Sequence, residues 1–171
     1  MADGDVDAEF VEVCGREYAR LVGLLALYTG DQGVAEDLAQ ETFVRLHDHW
    51  HRVRTMRSPG GWLATVGLNL ARSWWRRRFA EQRAHRRHGP PVEGASMDLA
   101  DVLAVRAAVA ALPPRQRAAL VLRHYAGLSI AETATALGCA EGTVKSLTNR
   151  AVTNLRTTLN DLAEPEALPH A

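Results

Sequence analysis

Ser129 to Arg150, reading SIAETATALGCAEGTVKSLTNR, carries the steric template of a helix-turn-helix. Small Ala134 stands where two helices would cross, and Gly138, four residues on, stands where the chain must turn through φ > 0. Ser129 and Glu132 form an S-x-x-E capping box that opens the first helix. Leu137, Val144 and Leu147 supply the apolar seam, and the second helix is expected from about Glu141 to Leu159. Its outer face would present Thr143, Lys145, Ser146, Asn149 and Arg150, groups that bond phosphates and base edges in a major groove. A plain helical hairpin in a bundle needs none of this polar outer face.

Around this motif the chain of 171 residues has room for one domain or two small ones. Its longest early apolar run, Leu21 to Tyr28, is broken by Gly23 and is too short to cross a bilayer. The acidic start, MADGDVDAEF, is unlike a secretory signal, so a cytoplasmic protein without membrane association is expected. Cys14 and Cys139, the two cysteines, fall on separate expected helices without C-x-x-C spacing, which points to reduced thiols packed as small core residues. The net charge of zero conceals a polar distribution of charge. Eleven acids precede His51 against Arg16, Arg20 and Arg45, whereas residues 51–90 hold ten arginines and a single acid, Glu81. Such a run repels itself unless a polyanion meets it, and nucleic acid is the expected counter-charge.

The remaining elements read as helices. Phe10, Val13, Cys14, Tyr18, Leu21, Leu24, Leu25 and Tyr28 recur at three- and four-residue steps up to Gly30. Asp31 caps a second helix with apolar positions Val34, Leu38, Phe43, Val44 and Leu46, and Trp50 to Arg57 reads as a connection. Ser58 and Pro59 give N-cap and N1 signals for a third helix carrying Trp62, Leu63, Val66, Leu68, Leu70, Trp74 and Trp75, expected to fray near Arg87. The stretch HGPPVEGAS, from His88 to Ser96, reads as a linker. Helices at Leu99–Leu112 and Arg115–Tyr125 then lead into the helix-turn-helix. The expectation is an all-α fold of two small helical domains joined by a flexible link.

Three segments, in order, resemble the extracytoplasmic-function sigma factors of the sigma-70 family, in the manner of the actinobacterial SigE-type members. They are AEDLAQETFVRL (35–46), GWLATVGLNLARSWWRRR (61–78) and the stretch from LPPRQRAAL through GTVKS to NLR (112–156). The resemblance covers about Phe10 to Leu159. It implies a region 2 domain at 10–87, a linker at 88–98 and a region 4 helix-turn-helix domain at 99–159. It also implies an initiation subunit that is not an enzyme, takes no cofactor or metal, and has core RNA polymerase (the largest subunit's clamp helices and the flap) and promoter DNA as partners. An anti-sigma factor would be a further partner. The contacts it implies are Asp37, Gln40, Glu41 and Val44 for polymerase, and Trp62, Asn69, Arg72, Trp75, Arg76 and Arg77 for the −10 element. The connection around His51 to Arg57 would hold one flipped base, and Thr143, Lys145, Ser146, Asn149 and Arg150 would read the −35 element.

The residue chemistry suits these roles. Asp37, Gln40, Glu41 and Val44 share one helical stripe. Aromatic, amide and guanidinium groups interleaved on the third helix suit unpaired DNA, whose bases stack on rings while arginines hold the backbone. Trp74 and Trp75, about 100° apart, cannot both occupy the centre of one buried face. His47, His49 and His51 cannot all face one ion on a helix, and they read as helix-end histidines. Two departures from the family pattern, Leu147 and Val152 where basic residues are common, imply a weaker phosphate grip. Thr133, where a larger aliphatic is typical, implies looser packing. A stand-alone helix-turn-helix regulator is the competing reading, and a small metal hydrolase using the early carboxylates and histidines is a third.

Overall fold

The computed structural model describes the backbone of residues 3–84 and 97–163, with side chains over 6–78 and 103–161. All regular structure among these residues is helical: α1 Asp3–Thr29, α2 Gln32–Asp48, α3 Trp50–Val53, α4 Pro59–Ala84, α5 Met97–Ala111, α6 Pro114–Leu120, α7 Ile130–Leu137 and α8 Glu141–Ala163. The linker assigned to 88–98 lies outside the described residues up to Ser96, and α5 begins two residues before Leu99.

Helices α1, α2 and α4 form the first layer, each packed on the other two. Gly30, at φ 78°, ends α1, and Asp31 Oδ1 accepts from Val34 N at 3.0 Å to open α2. Small residues set the spacing. Ala35, Ala39 and Thr42 are the buried positions of α2 beside Leu38 and Leu46, and a Cβ on Gly67 of α4 would stand only 3.0 Å from Leu21 Cδ1 and 3.3 Å from Thr42 Oγ1. Val44, an expected apolar position, is instead 59% exposed, because the alanines and Thr42 already occupy the buried arc.

Trp50 to Arg57 is not a mere connection. A single helical turn, α3, buries Trp50 and Val53, and its apolar content at i and i+3 is too short to show a period. Trp50 Nε1 donates to Val6 O at 3.2 Å and Arg54 Nε to a Glu9 carboxylate oxygen at 2.9 Å, which ties the turn to the start of α1. Helix α4 then opens as expected, with Ser58 Oγ accepting from Gly61 N at 3.0 Å. Trp74 and Trp75 are both half-buried, meeting edge-to-face at 5.0 Å, and Arg78 lies over the Trp74 ring at 5.2 Å.

In the second half, α8 is the spine against which α5, α6 and α7 pack. After α6 the helix widens into a π turn, Val121–Tyr125, closed by Ala126 N donating to Val121 O at 3.0 Å. The helix-turn-helix follows as read: capping box at Ser129 and Glu132, Gly138 at φ 62°, Val144 fully buried, and Leu137 and Leu147 packed beside it. Cys139 sits in the turn rather than on a helix, half-buried like Cys14, whose thiol is pushed up by burial. Thr133 is fully buried, and its hydroxyl has no hydrogen-bond partner among the described residues.

The two halves share one apolar core through α1. Arg117 of α6 is 8% exposed and donates to Tyr28 O at 2.8 Å, to Leu112 O at 3.1 Å and to Ala110 O, with its guanidinium over the Tyr28 ring. Arg20 donates to Ala126 O at 3.0 Å, and Tyr125 fills the notch left by Gly23, where a Cβ would collide with its phenol oxygen.

Two outcomes test this packing. Thr133→Val removes an orphaned hydroxyl at nearly constant volume and is expected to raise the unfolding free energy by about 1 kcal/mol in urea titration; a loss of stability would mean the hydroxyl is satisfied. The Ser129 hydroxyl and amide hold the Glu132 carboxyl below its ordinary value, so that part of the cap's stability is present above the ordinary carboxylate range and is lost as pH falls through the folded value. Ser129→Ala is therefore expected to cost about 1 kcal/mol at neutral pH, the gap to the parent narrowing in acid.

Candidate docking and nucleic-acid surfaces

On α2, Asp37, Gln40, Glu41 and Val44 are all exposed and share one stripe. Glu41 is held by Arg45 at 3.0 Å, while Asp37 has no ion pair among the described residues. An apolar Val44 beside two carboxylates offers a basic helix both charge and a dry contact. Nearby, Tyr18 and Phe43 rings stand 5.9 Å apart, with Tyr18 itself exposed. At the end of α2, His47 meets the Phe10 ring edge-on at 5.6 Å and His49 Nδ1 lies 2.9 Å from Arg45 O, consistent with helix-end packing.

Helix α4 gathers part of the expected −10 set. At about 100° per residue, Trp62, Asn69, Arg72 and Arg76 fall on one face, Trp75 on its flank and Arg77 on the opposite flank. Asn69, Arg72, Trp75 and Arg76 line a cleft of about 470 Å³ whose far wall is Tyr28 of α1 with Pro114, Arg115 and Ala118 of α6. Arg76 donates to Ser73 Oγ at 2.8 Å. Trp62, its ring 6.0 Å from that of His49, lines a separate, mostly apolar groove with Met56 and Arg57 on one side and Leu128, Glu132 and Ala136 on the other. Arg77 is exposed and lines neither.

Helix α8 exposes Thr143, Lys145, Ser146, Asn149 and Arg150. Lys145 and Asn149 line a groove of about 650 Å³ with Arg123 and His124 of the π turn and Arg156 of α8, while Thr143 and Arg150 lie on the other flank of the helix. Arg123 is oriented by donating to Leu128 O. Arg123, His124 and Arg156 escaped the sequence reading because two lie outside the motif and the third two turns beyond Asn149. The Arg156 spacing from Lys145 and Asn149, eleven and seven residues, was the available signal. Leu147 packs against the core and Val152 is half-buried, so neither position is a simple loss of phosphate contact; the groove draws its cations from Arg123, Lys145 and Arg156.

A test follows from the exposure of Arg156. Arg156→Ala is expected to leave folding intact, weaken binding to duplex DNA irrespective of sequence, and reduce the salt-dependence slope by about 0.9, read by fluorescence anisotropy across a salt series.

Comparison with known proteins adds to this geometry. The family model for sigma-70 region 2 matches residues 15–80 and that for sigma-70 region 4 matches residues 103–155. The chain is 34% identical over 157 residues to the RNA polymerase sigma-E factor of Streptomyces antibioticus, covering 91% of this chain and 87% of that one. It is 37% identical over 155 residues to the ECF RNA polymerase sigma factor SigL of Mycobacterium tuberculosis, covering 85% and 86% respectively. Among solved structures, the sigma factor RpoE in its co-crystal structure with the anti-sigma factor NepR from Bartonella quintana matches with a TM-score of 0.74 at 26% identity, over 89% of this chain and 97% of that one.

Proposed function

Because this chain belongs to the extracytoplasmic-function RNA polymerase sigma factors of the sigma-70 family, proteins that direct core polymerase to particular promoters, we propose how its own residues divide that task. Residues 10–87 act as region 2. Asp37, Gln40, Glu41 and Val44 dock on the clamp helices of the largest polymerase subunit, and Trp62, Asn69, Arg72, Trp75, Arg76 and Arg77 take the unpaired −10 strand. Residues 99–159 act as region 4, near the polymerase flap, with Lys145, Ser146 and Asn149 at base edges of the −35 element and Thr143, Arg150, Arg123 and Arg156 on phosphates. Residues 88–98 join them.

The observation that carries this reading is the separation of charge onto different surfaces. The α2 stripe is acidic and apolar, whereas the α4 cleft and the α8 groove are lined by guanidinium, ammonium and amide groups. One protein partner and two nucleic-acid contacts account for all three surfaces; an operator-binding regulator would leave the first two unused. Promoter elements about 25 base pairs apart lie roughly 85 Å apart along the duplex, while a compact chain of this length spans only about 40 Å. Engaging both elements therefore requires the α1–α4 and α5–α8 sets to move apart on polymerase. The chain acts by binding rather than catalysis, in the cytoplasm where polymerase works; no described helix is long and apolar enough to cross a membrane. An anti-sigma factor, of the kind crystallised with RpoE, is a further partner.

Reconstitution with core polymerase tests the proposal. Promoter-dependent transcription is expected from the parent chain. Asp37→Ala is expected to weaken core binding about five- to ten-fold, as loss of one charged interface contact does, with affinity for isolated DNA unchanged. Unaltered core affinity would remove the α2 stripe from the polymerase interface.

A further inference from the structure

The cleft between α4 and α6 has a chemistry of its own. Its walls hold three guanidinium groups, Arg72 and Arg76 from α4 and Arg115 from α6, together with the Trp75 and Tyr28 rings and the Asn69 amide. No carboxylate is among the residues that line it, and none of the three arginines is in an ion pair among the described residues. Arg117, next to Ala118, does not line the cleft: its Nη1 and Nη2 donate to main-chain carbonyls and its Nε is buried. Tyr28 is only 3% exposed, and its phenol is pushed up by burial despite Arg117 and Arg72, so this end of the cleft is poorly hydrated.

An apolar, aromatic end and a triple-arginine end within about 470 Å³ match the size range of small-ligand sites. Rings take a base by stacking, an amide reads its edge, and converging guanidiniums take phosphate oxygens in bidentate pairs. We propose that this cleft binds a free nucleoside diphosphate or triphosphate, with the base against Trp75 and Asn69, Tyr28 as the buried floor, and the phosphates on Arg72, Arg76 and Arg115.

The unpaired promoter strand has the same chemistry, but Arg115 separates the two sources. It stands on α6, in the half of the chain that moves away from α4 when polymerase and promoter are engaged. The mononucleotide site exists only while the halves are together. A ligand that binds only that arrangement shifts the population towards it. The nucleotide thus competes with the −10 strand both directly, at Arg72, Trp75 and Arg76, and by holding the chain closed. This regulatory consequence rests on the proposed sigma-factor reading, while the binding itself does not.

The test is isothermal titration of the full chain with GDP and with ADP, with guanosine and inorganic pyrophosphate as half-ligands. At least one diphosphate is expected to bind, with each half-ligand at least about ten-fold weaker. Arg115→Ala is expected to reduce that affinity about ten-fold or more while leaving promoter-directed transcription without nucleotide unchanged. The same nucleotide should raise the apparent Kd of the parent for a single-stranded −10 oligonucleotide, and should do so much less in Arg115→Ala. Absence of binding, unaltered affinity in Arg115→Ala, or pyrophosphate binding as tightly as the diphosphates would each overturn the site. Failure of transcription with intact nucleotide binding would overturn the sigma-factor assignment instead.

Discussion

The burial of the Arg117 guanidinium is the constraint on which the arrangement of this chain depends. A charged group at 8% exposure without a carboxylate is costly unless its donors are satisfied, and burial accordingly lowers its pKa. Here carbonyl oxygens take its Nη1 and Nη2 donors, Ala110 and Leu112 at the end of α5, where the Pro113–Pro114 break leaves carbonyls without helical partners, and Tyr28 at the end of α1, while Nε has no hydrogen-bond partner among the described residues. One side chain thereby completes the C-terminal ends of two helices that belong to different halves. The negative end of each helix dipole also favours a cation there.

Around this fastener, polar and aromatic contacts join the apolar core that the halves share. Tyr125 enters the Gly23 notch and Arg20 reaches the Ala126 carbonyl, both beside the π turn. The turn's extra residue per helical winding places Tyr125 against α1 and also sets Arg123 and His124 beside α8. A single irregularity in the backbone thus serves both the contact between halves and the groove beside α8.

Charge placement follows from the same geometry. The exposed carboxylates Asp37 and Glu41 lie on α2, whereas Arg72 and Arg76 of α4 line the cleft against α6. Compactness places Arg115 on the wall of the same cleft as Arg72 and Arg76, with no carboxylate among the lining residues, and it creates a cleft that neither half would possess alone.

What could be read locally was determined by the sequence itself. Helix periodicity, the caps at Asp31, Ser58 and Ser129, the left-handed glycines at 30 and 138, and the seam of Leu137 and Val144 depend on interactions within a few residues, and each stands as read. So does the order of the three family segments, since order needs no third dimension. The tertiary structure decided everything that joins residues distant in the chain. Trp50 buries against the start of α1, bonded to Val6 O and edge-on to Phe10, while Arg54 pairs with Glu9. Val44 is exposed because two alanines and Thr42 fill its arc. Arg123 and His124 join Lys145 and Asn149 only through the π turn, and Arg115 shares a cleft with Arg72 only because α6 lies on α1, where Arg117 donates to Tyr28 O. Periodicity tells which face of a helix is apolar, but not which other helix will meet it.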